Sequence, residues 1–77
     1  MKEKQQYDYL KEILEEEFPT DYWRLHELSV LDTEIENISN YCESVFVEMG
    51  FDEDDRFLRY ALIGTIAEYL ETAAASR

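Results

Sequence analysis

One run of apolar residues constrains this chain more than any other feature. Leu28, Leu31, Ile35, Ile38, Cys42, Val45 and Met49 alternate steps of three and four without a miss. A helix brings positions so spaced onto one face, so the pattern predicts a long α-helix. Gly50 stands just past its end, where a left-handed residue closes a helix well. Ser29 with Asp32, or Thr33 with Glu36, would provide the capping arrangement at its start. Tyr41, Phe46 and Val47 lie beside the seam. They widen the apolar face beyond that of a two-stranded coiled coil, which favours a bundle.

Similar periodicity organises the rest of the chain. Tyr7, Leu10, Ile13, Leu14 and Phe18 build one face of a first helix over Lys4–Phe18, and Pro19 stops it. Glu15, Glu16 and Glu17 crowd its C-terminal end, where the helix dipole disfavours negative charge; a cationic neighbour would relieve them. Thr20 opens a short helix or structured connector to Leu28 that carries Tyr22 and Trp23. Asp52 is the expected cap of a last helix, with Glu53, Asp54 and Asp55 behind it at the positive helix end. Leu58, Leu62, Ile66, Tyr69 and Ala73 form that helix's stripe, flanked by Ile63 and Leu70. Gly64 in its interior costs about 1 kcal/mol relative to Ala, which suggests a close helix–helix approach there. The expected fold class is all-α: a compact bundle of three main helices, with a short fourth over residues 20–28, as one small acidic domain over residues 1–77.

Composition narrows the function classes. The 77 residues include 19 acids against 7 bases, a formal charge of −12. Affinity for nucleic acid comes from Lys and Arg neutralising phosphates, so direct nucleic-acid binding is disfavoured. An apolar content of 45% with 14% aromatics is too high for a disordered acidic tail. There is no apolar run of the roughly 20 residues that a membrane span needs. The polar opening Met1–Gln6 leads into an amphipathic stretch, not a secretory signal core. With a single cysteine and no internal disulfide possible, a cytoplasmic setting is expected. A domain this small buries only about 60% of its unfolded surface. Self-repulsion lowers stability further, so either the core is unusually well packed or a second copy or a partner supplies more buried area.

Chemistry-bearing motifs are sparse. The loop Asp52-Glu53-Asp54-Asp55 invites a calcium reading, but an EF-hand counted from Asp52 meets Arg56, Phe57 and Ile63 at its fifth, sixth and twelfth positions. His26 and Cys42 are too few for a structural zinc site, and a di-iron bundle needs two His residues. Cys42 reads as a small core residue within the seam. No glycine-rich phosphate loop, nucleophile elbow or redox cysteine pair is present, so no enzyme activity, cofactor or metal is expected. Length, acidity and helical order resemble those of acyl carrier proteins. Ser29, in Glu27-Leu28-Ser29-Val30-Leu31-Asp32, is the matching residue for a phosphopantetheine arm, but Leu28 stands where that family's signature places an acid. A helix cap is the simpler role for Ser29.

The charge distribution says more. Between Arg24 and Arg56 there is no Lys or Arg, and those 31 residues carry ten acids: Glu27, Asp32, Glu34, Glu36, Glu43, Glu48, Asp52, Glu53, Asp54 and Asp55. Asp32, Glu36 and Glu43 fall close to one side of the long helix, with Asn40 between the last two. Carboxylates one turn apart, about 5.4 Å along the axis, approach the spacing of successive phosphates on a nucleic-acid strand. A rigid acidic helix can therefore present a phosphate-like row to a basic groove; a solvated face that keeps the protein soluble is the simpler reading. Tyr and Trp are enriched at interface hot spots, which makes Tyr22 and Trp23 candidate anchors.

These features resemble, in type, the small acidic helical proteins of mobile elements, including phage-encoded anti-CRISPR and anti-restriction inhibitors and nuclease immunity proteins. The resemblance implies a non-catalytic inhibitor or adaptor that acts as a nucleic-acid mimic on a basic protein, such as a nucleic-acid-binding enzyme. No family motif is matched residue by residue. The expected partner-binding residues are Asp32, Glu36, Glu43, Asp52, Glu53, Asp54, Asp55, Tyr22 and Trp23. The alternative is a structural homodimerisation module, built on the Leu28–Met49 seam and the face of Phe57, Tyr60, Gly64 and Ala67.

Overall fold

The computed structural model describes residues 2–19 and 32–75, with side chains described for 5–19 and 34–75. Three α-helices make up this part of the chain: α1 (Lys2–Glu17), α2 (Asp32–Met49) and α3 (Arg56–Ala75). No strand occurs among the described residues. The fold is an all-α bundle of three helices. Its principal extents of 32 × 19 × 18 Å match helices lying side by side, since a 20-residue helix is about 30 Å long. The expected short helix over residues 20–28 lies outside the described residues, as do Leu28, Leu31, Tyr22 and Trp23.

The core is a single cluster drawn from all three helices. Leu10, Ile13, Leu14 and Phe18 come from the α1 end, Ile35, Ile38, Cys42 and Phe46 from α2, and Leu58, Leu62, Ile66 and Leu70 from α3. No charged side chain is buried among the described residues. The α3 set steps by four throughout, and its packing is heaviest against α2.

Three apolar assignments differ from the sequence reading. The α2 seam holds at Ile35, Ile38 and Cys42, all fully buried, but then drifts: Val45 is half-buried, Met49 is 39% exposed and Phe46 is buried in its place. A straight helix turns every 3.6 residues, so a strict 3.5-residue seam slips by about 20° per heptad. On that period Val45 falls at the rim of the face and Phe46 within about 20° of Ile35, while Met49 is the last residue of α2, directly before the Gly50 stop. In α1, Tyr9 is buried and Tyr7 only partly so. Tyr9 shares a face with Leu10, Ile13 and Leu14, and its ring meets Phe51 edge-on at 5.7 Å. In α3, Leu70 is fully buried, while Tyr69 and Ala73, which the stripe included, are only partly so.

Helix ends fix the connections. Gly50 has φ +74°, and its N–H donates to the Phe46 carbonyl at 2.8 Å, which is a left-handed helix stop. Phe51 follows and packs edge-on against Phe46 at 5.6 Å. The cap of α3 is Asp55 rather than Asp52. Asp55 Oδ1 accepts from Phe57 N–H at 2.9 Å and Leu58 N–H at 3.4 Å. Asp52 instead accepts from Asp54 N–H at 3.0 Å within the preceding turn. The four acids therefore precede the helix, and its first turn carries Arg56 and Arg59.

Candidate protein-binding face

The exposed side of α2 holds the acidic row. Glu36, Asn40 and Glu43 are all exposed, because Ile35, Ile38 and Cys42 turn the opposite side of the helix into the core. Asp32 is the first residue of α2; its side chain lies outside the described residues. Glu36 and Glu43 stand seven residues apart, about 10 Å along the axis. Together with Gln6, Tyr7, Ser39, Asn40 and Phe46 they line a groove of about 550 Å³ between α1 and α2. Carboxylates, amides and a hydroxyl line this groove alongside two aromatic residues. Chemically it can accept hydrogen bonds and charge from ammonium or guanidinium groups, while the rings cover their alkyl stems.

The acidic loop is a second, separately built element. Asp52, Glu53 and Asp54 are exposed and Asp55 is half-buried. Asp52 and Asp55 hold backbone N–H groups, while Glu53 and Asp54 make no side-chain hydrogen bond or ion pair among the described residues. Glu34, also in the base-free stretch, is engaged elsewhere. Its carboxylate accepts the Tyr69 hydroxyl at 2.6 Å, and the Tyr69 ring meets Tyr41 edge-on at 5.4 Å. Burial first, and then the Glu34 carboxylate, push the Tyr69 phenol up to about 12. Among the described side chains, the exposed acids of the stretch are thus Glu36, Glu43, Glu48, Asp52, Glu53 and Asp54.

Arg59 supplies the cation that the crowded end of α1 calls for. Its guanidinium donates to Glu16 Oε2 at 2.7 Å and lies 3.4 Å from Glu17 Oε1. Burial works to lower the Arg59 pKa; contact with Tyr9, Glu16 and Glu17 outweighs it and raises the group above its ordinary value. The pair relieves two dipole conflicts at once: anions at the end of α1 and a cation in the first turn of α3. Tyr9 Oη is buried and has no hydrogen-bond partner within bonding geometry among the described residues.

The described cysteine is not poised as a nucleophile. Cys42 is fully buried, and burial pushes its thiol up to about 12, far from the thiolate that reactivity needs. No three His, Cys, Asp or Glu side chains converge as a metal site among the described residues. No described helix is long and apolar enough to cross a membrane. No family model, curated protein or solved structure matches the chain.

Sequence reasoning missed two residues that shape this region. Phe51 sits in the second place after the α2 stop, where an apolar residue commonly packs back on the last turn, so the Phe46–Gly50–Phe51 spacing was its signal. The Arg59 clamp joins positions more than 40 residues apart, and no local pattern announces it.

Proposed function

We propose that the chain is a non-catalytic protein-binding module, an acidic inhibitor or adaptor that occupies a basic, nucleic-acid-binding surface of a target protein. The α2 face carries this reading. Glu36 and Glu43 are exposed on one rigid helix and border one groove, within a stretch that contains no Lys or Arg to neutralise them. A solvated face usually intersperses both signs of charge; this one does not. Such a surface steers a basic partner by long-range attraction and then accepts its Lys and Arg side chains in the groove. The acidic loop at Asp52–Asp55 extends the same sign of potential. Inhibition follows by occupancy, because a surface that holds carboxylates in place of phosphates is closed to nucleic acid. This is the mode expected of the anti-CRISPR, anti-restriction and immunity proteins that the chain resembles in type.

The test is capture on the immobilised chain at low and high salt, followed by competition. The expected result is a basic protein retained at low salt, released at high salt, and displaced by duplex DNA or by RNA. A partner that stays bound at high salt and is indifferent to nucleic acid would refute the reading.

A further inference from the structure

The exposed face of α3 has a different character from that of α2. Phe57 is 77% exposed and Tyr60 74%. Continuing along the same side, Gly64, Glu68 and Glu71 are exposed too. Gly64 does not mark a close approach inside the bundle, as the sequence suggested: a Cβ built there meets nothing within 4 Å. The glycine sits at the centre of an open stripe. On its N-terminal side lie Tyr60, Phe57 and the exposed Arg56, which makes no ion pair among the described residues. On its C-terminal side lie Glu68 and Glu71.

We propose that this stripe is a self-recognition surface on which a second copy of the chain docks antiparallel, the two Gly64 residues meeting at the crossing point. The order of charges along α3 carries the inference. A two-fold axis at Gly64 sets each residue opposite the one equally far on its other side, as a symmetric interface requires. Tyr60 then faces Glu68 of the second copy, which can accept its hydroxyl proton. Phe57 faces Glu71 of the second copy, and Arg56, one residue away, reaches the same carboxylate. Parallel docking would instead stack Arg56 on Arg56 and Glu71 on Glu71. Antiparallel packing also opposes the two helix dipoles. The missing side chain at Gly64 lets the backbones approach closely. The same arrangement places four exposed aromatics, two per copy, at the contact, and a large exposed apolar group is where association is expected. Ile35, Ile38 and Cys42 of the α2 seam are enclosed in the chain's own core, so it is α3 that offers the larger exposed aromatic face. A single pair of helix faces is a small interface, and the net charge opposes association, so the dimer is a weak one.

Sedimentation equilibrium of the full chain over a wide concentration range tests the proposal. The expected result is a reversible monomer–dimer equilibrium. Tyr60→Ala and Glu71→Arg should each weaken it at least tenfold. Glu71→Arg is the sharper variant, since it lowers the net repulsion between copies and yet removes the proposed pair. Combining it with Arg56→Glu in one chain should restore the dimer. Circular dichroism of each variant checks that the helices persist. A strictly monomeric wild type would overturn the proposal, as would a dimer that Glu71→Arg strengthens or a charge swap that fails to restore association. None of these outcomes bears on the α2 face, which is not part of the contact.

Discussion

Cys42 and Tyr69 show what burial does to single groups in this molecule. The Cys42 thiol is pushed from 9.0 up to about 12 by burial, and the Tyr69 phenol from 10.0 up to about 12 by burial and the Glu34 carboxylate. Both are acids whose neutral form the fold favours. Their stabilisation is fully present below the unfolded values and is lost as pH rises through the folded ones. The protein should therefore lose stability between about pH 9 and 12. Tyr69→Phe should cost about 1 kcal/mol at neutral pH, from the lost hydrogen bond, and flatten the upper part of that alkaline fall. Denaturant melts across pH check both. Thiol reagents should label Cys42 slowly in the native state and quickly in urea, and fast native labelling would contradict its place in the core.

At the scale of elements, the termini distinguish what the sequence makes legible from what it hides. The cores of all three helices were readable because each apolar stripe repeats locally: Ile35, Ile38 and Cys42, or Leu58, Leu62 and Ile66, need no knowledge of their neighbours. The burial of Phe46 was hidden by following the three-four alternation alone, although at about 100° per residue Phe46 falls within about 20° of Ile35; the exposure of Met49 comes from its place at the last position of α2. Asp52 and Asp55 are equally good caps by residue type. The choice falls to Asp55 because a tight turn closed by the Asp55 N–H on the Asp52 carbonyl at 3.0 Å delays the helix start. Asp55→Ala should thus destabilise by about 1 kcal/mol, while Asp52→Ala costs less, because its single bond lies in an exposed turn. Thermal melts of the two variants decide between the caps. In the acidic row, spacing revealed that Glu36 and Glu43 share an exposed side. The groove they border needed the position of α1, which spacing does not give. Glu34 belongs to the same charge run, and only the packing of α3 on α2 reveals that Tyr69 engages it.

For the molecule as a whole, charge is unevenly spent. Arg59 is tied to Glu16 and Glu17 at the joint of α1 and α3, and the α2 face has no basic residue within its own stretch. Substitutions at two places with equal charge change therefore separate steering by the α2 face from the effect of net charge. The control set is Asp8, Glu12 and Glu15 on α1, all exposed, which leaves the Glu16–Arg59 pair intact and lies near Lys11. The measurement that tests the central claim most directly compares association rates with the captured basic partner for Asp32/Glu36/Glu43→Lys and Asp8/Glu12/Glu15→Lys, at ionic strengths on either side of the one where the Debye length is about 10 Å. The account predicts that the α2 set slows association by at least tenfold at low salt, that the α1 set slows it far less, and that the difference shrinks as salt rises. Equal rates for the two sets, or rates that ignore salt, would contradict it.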